Sequence, residues 1–401
     1  MPHSFRFSTR TNWETTETEL SRTLRERRKA GLPIVDLTAS NPTQCGFTYD
    51  KAAILTPLAT SEALIYDPNP QGILSARKAV CRYYRDHNAT VDLAQVFLTT
   101  STSEAYSYVF RLLCDPDDEV LIAQPSYPLF DFLAALDDVK LVPHELFYDH
   151  GWHLDFAALR QRITPRTRAI MLVHPNNPTG HFTRPEDRKQ LESLCLDHGL
   201  ALIVDEVFLD YPLTERGSSF AVGPHPVLTF VLSGLSKIAG LPQMKAAWIA
   251  VFGSEEIADD AQARLEIIAD TFLSMNAPVQ YALPHWLSHN SIQRQIQQRI
   301  IRNLQNVDAL LSGQSMVTRL AVEAGWYVTL RIPAILRDED TAKKLIRDAG
   351  VLIHPGYFFG FAGEGWLVAS LLAPEEEFQT GLKIIIQMCD ELGANPWPLI
   401  S

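Results

Sequence analysis

Several features are scarce in this 401-residue chain, and each scarcity removes a class of protein. Its five cysteines, at positions 45, 81, 114, 195 and 389, are scattered, odd in number and free of C-x-x-C spacing. They read as reduced thiols, not as a disulfide framework or a zinc site, and no metal is expected. Basic residues are outnumbered, 35 against 47 acidic ones for a net charge of -12, so the footprint of a nucleic-acid binder is missing. No apolar run approaches the roughly 20 residues that cross a bilayer. The opening "MPHSFRFSTRTNW" has no apolar core of signal-peptide length. A cytoplasmic protein without a membrane partner is the expectation. Neither G-x-G-x-x-G nor G-x-x-x-x-G-K-[ST] occurs, so neither a dinucleotide nor a P-loop nucleotide is indicated.

Apolar residues are plentiful, at 46%, enough to fill the cores of two domains in a chain of this length. The segment "ETELSRTLRERRKAG" predicts a helix with acids early, bases late and Gly31 at its stop. From about residue 95 a rhythm begins. The runs "VFL", "EVLIA", "RAIMLV", "LALIV", "VLTFVL" and "AAWIAVF" are separated by helical stretches such as "TRPEDRKQLESLCLDHG", where Thr183 and Glu186 predict a capping box. Uniformly apolar strands alternating with helices indicate an α/β fold, a mostly parallel sheet covered on both faces. After about residue 285 the helix "SIQRQIQQRIIRNLQNVDALL" and the strand-like "GWYVTLRIP", "GVLIHPG" and "GWLVASLL" suggest a smaller α+β unit. The expected division is a large domain over residues 46–285 and a small one formed from 1–45 with 286–401.

Ligands gather beyond the carboxyl ends of strands in such sheets. After "VFL" stands "TTSTSEAYSY". Ser101 and Glu104 form an ordinary capping box, yet a hydroxyl-rich turn entering a helix also offers N–H groups, hydroxyls and a positive dipole end to a phosphate. After "RAIMLV" stands "HPNNPTG", a turn in any case, from which Asn177 can project an amide. Asp205 ends "LALIV", a costly place for a carboxylate without a cationic partner, whether a salt bridge or a protonated ring nitrogen. Lys237, in "LSGLSKIAG", follows "VLTFVL" among small residues. A solvated surface lysine is the common alternative, but a reactive amine requires such close, desolvated surroundings. Lys245 lies eight residues further on. Together these are the needs of pyridoxal 5'-phosphate: phosphate anchors, a ring-edge donor, an acid for a pyridinium nitrogen and an amine for an aldehyde.

With "NNPTG", "VDEVF" and "SGLSK" in this order, the chain resembles the fold-type I pyridoxal-phosphate enzymes of the class I/II aminotransferase family, in the aspartate aminotransferase superfamily, from about Asp36 to Leu372. The resemblance implies roles. Lys237 would carry the cofactor as a Schiff base and move the substrate's Cα proton. Asp205 would hold the pyridine nitrogen protonated, and Asn177 would face the phenolic oxygen. Tyr127 in "QPSYPLF" would stack on the ring. Ser101, Thr102 and Ser103, with Ser236 and Lys245, would cradle the phosphate. Tyr66 in "YDPNPQG" would cross to the partner's site in a homodimer. Asn41 in "DLTASNPT" would line the substrate entrance, where Asn177 also contributes. The implied reaction moves an amino group from an amino acid or related amine to a keto acid. A lyase or decarboxylase on the same scaffold, and a non-catalytic cofactor-binding sensor, are the alternatives.

Three positions depart from the family pattern. Phe208 stands where a tyrosine usually donates to the phenolic oxygen, which should raise the pKa of the Schiff base unless Tyr211 compensates. Lys245 stands where an arginine is common, a point charge in place of a fork. Val368 stands where an arginine usually grips the substrate carboxylate, for which Arg6, Arg10 and Arg331 are the candidate substitutes.

Overall fold

The computed structural model describes residues 6–394. Strand β1, Val35–Asp36, pairs far along the chain. The main sheet has eight strands. They are β2 (Val96–Thr99), β3 (Glu119–Gln124), β4 (Lys140–Tyr148), β5 (Trp152–Leu154), β6 (Thr167–Val173), β7 (Ala201–Asp205), β8 (Thr229–Gly234) and β9 (Ala247–Phe252). Their spatial order is β2-β9-β8-β7-β6-β3-β4-β5. The pairs from β8 through β4 are parallel, while β9 runs against both β2 and β8, and β5 against β4.

The six apolar runs became six of these strands because both sheet faces are covered. Successive residues alternate between two cores: Leu121, Ile170, Leu172, Leu202 and Val204 enter one, and Val120, Ile122, Ala169, Met171 and Ile203 the other. Strands buried on both sides cannot spare a polar residue, hence the continuous hydrophobic spelling. β4 and β5 escaped the sequence reading for the converse reason. "KLVPHELFY" carries Pro143 and the charged Lys140 and Glu145, and it lies at the less covered margin, with only β5 beyond it.

The smaller sheet, β10 (Thr318–Arg319), β11 (Tyr327–Arg331), β13 (His354–Pro355) and β14 (Trp366–Ser370), has the order β10-β11-β14-β13. Strand β12, Val351–Leu352, pairs in parallel with β1, which ties the N-terminal segment to the C-terminal third. The helix expected early spans Glu19–Lys29, capped by Thr18 and followed by Gly31 at φ 66°. Another occupies Ser291–Leu310.

The capping box expected at Thr183 and Glu186 is not formed. The helix starts at Pro185 with Arg184 as its cap. The Thr183 backbone N–H donates instead to His174 Nδ1 at 3.1 Å. Proline fixes φ for the first helical position and lacks an amide that would need a cap, so it sets the boundary.

Candidate active site

The carboxyl ends of the parallel strands share one edge of the sheet, and β9, being antiparallel, brings its beginning there. Ser101 follows β2, Tyr127 follows β3, Asn177 follows β6, Asp205 ends β7, Lys237 follows β8 and Lys245 precedes β9. A cavity of about 230 Å³ opens at this edge. It is lined by Ser101, Thr102, Ser103, Tyr127, Asn177, Asp205, Phe208, Ser236, Lys237 and Lys245, joined by Ser40, Tyr106 and Tyr327.

Gly234 explains the small residues before Lys237. A Cβ on it would stand 2.8 Å from the Ala247 Cβ and 2.9 Å from the Ala246 carbonyl oxygen. Only glycine lets β8 run this close to β9 before turning into the one-turn helix Leu235–Ile238. That turn holds the Lys237 side chain inside the protein. Its Nζ lies 4.9 Å from the Trp326 ring centroid and 5.6 Å from that of Phe208. Burial pushes its pKa down to about 8, with the attraction of Asp205 opposing.

Asp205 is buried at the end of a fully buried strand. Its Oδ1 accepts the Val207 N–H and its Oδ2 the Tyr106 hydroxyl, each at 3.0 Å. Burial raises its pKa to about 6 against those two hydrogen bonds and the Lys237 charge. The bond from Tyr106 was not legible in any motif. The one available signal was helical spacing, since Tyr106 lies four residues into the helix Thr102–Leu113, whose N-terminus faces the cavity.

The turn after β6 divides its two asparagines between two tasks. The Asn176 side-chain amide donates to the Pro125 carbonyl at 3.2 Å and to Thr179 Oγ1 at 2.8 Å, building the turn. Gly180, at φ 70°, lets this turn lie against the Ala324 carbonyl, which a Cβ would meet at 2.3 Å. The Asn177 side-chain oxygen is buried without a partner and faces the cavity. An orphan acceptor of this kind is expensive unless something binds there.

At the other end, Ser101 caps its helix, accepting the Glu104 N–H at 3.1 Å, and Glu104 accepts the Thr100 N–H at 2.7 Å. Ser101 thus caps the helix, but the reciprocal half of the expected capping box goes to the Thr100 N–H and not to the Ser101 N–H; this one-sided cap is compatible with an anion cradle. The Ser101 hydroxyl proton and the first-turn amides of Thr102 and Ser103 lie outside that exchange.

Two residues of the sequence reading lie outside this chain's cavity: Asn41, expected at its entrance, and Tyr66, whose expected place is the partner's site. Asn41 is exposed, and its side chain accepts from the Thr43 N–H at 3.1 Å and the Thr43 hydroxyl at 2.7 Å. Its neighbour Ser40 reaches the cavity instead, because the Asn-Pro pair must cap the short turn Pro42–Gln44. Tyr66 is exposed and lines a separate cleft with Asp67 and Asn69. Nor does Tyr211 reach the place vacated by tyrosine at 208. Its hydroxyl donates to the Lys237 carbonyl at 2.6 Å and the Ile238 carbonyl at 3.2 Å, clamping the end of the lysine-bearing turn.

The three arginines considered as carboxylate anchors are also elsewhere. Arg10 forms a fork with Asp138. The Arg331 guanidinium donates to the Glu364 carbonyl at 2.6 Å and stacks 4.2 Å from the Trp366 ring centroid. Arg6 is exposed and outside the cavity lining. Val368 is fully buried in β14.

A model of the family described as aminotransferase class I and II matches residues 34–385. The chain belongs to this family. An alanine aminotransferase of Mycobacterium bovis is 32% identical over 271 residues, a stretch covering 66% of this chain and 62% of that enzyme. An aspartate/prephenate aminotransferase of Thermus thermophilus is 27% identical over 365 residues, 89% of this chain and 91% of the relative. The alanine aminotransferase structure from Pyrococcus furiosus shares the fold with a TM-score of 0.87 at 22% identity, over 96% of this chain and all of that one. The shared fold covers the large, mostly parallel sheet and the smaller one.

Burying Lys237 and Asp205 together has a measurable consequence for the ligand-free chain. The raised Asp205 value means that the folded state holds its proton more tightly between about pH 4 and pH 6, so stability falls as pH rises through that window. The depressed Lys237 value means that the unfolded state binds a proton better from about pH 8 to 10.5, so stability rises as pH climbs there. The contribution of this pair in the ligand-free protein should therefore be least favourable between pH 6 and 8, read by calorimetry as the difference from the Lys237→Met, Asp205→Asn double variant. Lys237→Met should raise the neutral-pH melting temperature by roughly 1–3 °C. A lower melting temperature for that variant would contradict the desolvation argument.

Proposed function

We propose that this chain is a pyridoxal-phosphate-dependent aminotransferase that uses Lys237 as nucleophile and proton carrier. The observation carrying this reading is one buried amine, weakened to a pKa of about 8, sharing a cavity with a buried carboxylate. At pH 7 such a lysine is about one-tenth neutral, against well under a thousandth for an exposed one. Free amine is what attack on an aldehyde requires.

The donor set fits the cofactor. The hydroxyl turn Ser101–Ser103, with Ser236 and Lys245, suits a phosphate. Asp205 suits a protonated ring nitrogen, Tyr127 a ring face, and the orphan amide of Asn177 a polar ring substituent. When bound, pyridoxal phosphate supplies an electron sink for the bonds of a substrate's Cα. Asp205 would hold a ring nitrogen protonated there and would itself be kept ionised by that charge. The amine of Lys237 is placed to take a proton from the substrate carbon and return it. Trp326 and Phe208 keep water from the amine.

We further propose a homodimer in which Tyr66 reaches the partner's cavity, a cytoplasmic location, and the division into domains 46–285 and 1–45 with 286–401. The exposure of Tyr66, Ile65 and Leu64 in one segment supports the first of these.

Single-turnover mixing of the reconstituted protein with amino donors tests the activity. Loss of the cofactor's aldehyde absorbance with one equivalent of carbonyl product supports transamination. Ammonia or carbon dioxide released with the aldehyde form retained would instead indicate a lyase or decarboxylase.

Phe208 makes a separate prediction. Its ring lines the cavity without a donor, and the Tyr211 hydroxyl is engaged with backbone carbonyls. Phe208→Tyr should add a hydrogen bond to the cofactor's phenolate and lower the spectroscopic pKa of the lysine–cofactor linkage by about one unit. An unchanged titration in that variant would show that position 208 does not address this oxygen.

A further inference from the structure

The cavity has two chemically different walls. The sheet edge supplies Lys237, Lys245, Asp205, Asn177 and the hydroxyl turn. The facing wall is brought in from outside the main sheet by Ser40, four residues beyond β1, and Tyr327, the first residue of β11. The Ser40 hydroxyl faces the Tyr327 phenol. Tyr327 is 7% exposed, with its ring wedged edge-on to those of Phe359 and Phe208. Burial raises its pKa, so the phenol stays neutral and able to donate. Among the described residues, the cations in the lining are Lys237 and Lys245 alone. One is the reacting amine and the other precedes β9 at the sheet edge. Behind the facing wall, Val368 is buried opposite Thr329 and His354, and burial holds His354 down to about 4, hence neutral.

We propose that Ser40 and Tyr327 are the specificity-determining residues, selecting a primary amine whose neighbouring carbon bears a neutral hydroxyl or carbonyl oxygen in place of a carboxylate. This rests on the aminotransferase reading. A carboxylate taken into this end would lose its water and meet two neutral hydroxyls, without the cation or bidentate fork that compensates such a transfer. A neutral oxygen loses less on desolvation and is fully satisfied by a phenol and a serine hydroxyl. A site that hydrogen-bonds a substrate hydroxyl also discriminates sharply, because its own polar groups go unpaired with the wrong ligand.

L-Alaninol and L-alanine test this directly, since they share a skeleton and differ only in hydroxymethyl against carboxylate. With the reconstituted protein, kcat/KM for alaninol should exceed that for alanine by about tenfold or more. Tyr327→Phe and Ser40→Ala should each lower the alaninol value by about tenfold and shrink the preference for alaninol over alanine. Calorimetric titration of the cofactor-loaded Lys237→Ala protein should give the same ranking of affinities without turnover. Preference for alanine, equal losses on both substrates in the two variants, or reaction with neither would overturn the proposal. Borohydride trapping of the cofactor on Lys237 separates the two failures. If trapping succeeds while the substrate ranking is wrong, the assignment of Ser40 and Tyr327 falls and the aminotransferase reading stands.

Discussion

Lys237→Ala should slow amino-group transfer by about a thousandfold or more, since on the proposed reading one change removes both the nucleophile and the proton carrier. The size of the loss follows from position. The amine is held between Trp326 and Phe208 on a turn clamped by Tyr211 and made possible by the close pass at Gly234, and no other lysine of the cavity occupies that turn. A folding defect would give the same loss for an uninteresting reason, so the readout includes rescue. Added ethylamine should restore part of the rate in Lys237→Ala, growing with amine concentration, while the melting temperature stays at or above that of the wild type. Failure of every small amine to rescue a well-folded variant would assign proton transfer to another group.

Asp205→Asn should cost about a hundredfold to a thousandfold in kcat, the scale of removing one preorganised charge from a water-excluded site. The replacement keeps the shape and can still accept the Val207 N–H, so the loss reports the charge. In the ligand-free chain Asp205 has a pKa of about 6 because burial outweighs its hydrogen bonds from Val207 and Tyr106. A carboxylate poised this way ionises fully once a positive ring nitrogen faces it. Asparagine cannot respond. Activity in Asp205→Asn within a few fold of wild type would mean that the carboxylate serves only the Tyr106 contact.

How much of this could be read in the sequence depended on how local each signal was. The six buried strands spelled themselves out because both faces of the sheet are covered, and the site residues follow from the rule that ligands sit beyond strand ends. Lys237, Asp205 and Asn177 were legible because each sits beside a glycine, a proline or an apolar run that makes no sense for an ordinary surface group. β4 was not legible, since a marginal strand tolerates Pro143, Lys140 and Glu145. Ser40 was missed by one position because the Asn-Pro pair drew attention to Asn41, whose side chain only caps a turn. Tyr106, Trp326 and Tyr327 carry no local mark at all. Their places in the site arise from helix packing and from the approach of the smaller sheet, which no short stretch encodes. The early helix boundary was legible through Gly31, whereas the Thr183 cap was displaced by its neighbour Pro185.

The central claim is a covalent one, and it can be measured on one residue. The protein, supplied with pyridoxal phosphate, reduced with borohydride and digested, should yield a single pyridoxyl-labelled peptide spanning "LSGLSKIAG" with the label on Lys237, and the unreduced protein should be yellow. A colourless protein, or a label found on Lys245 or spread over surface lysines, would contradict the account.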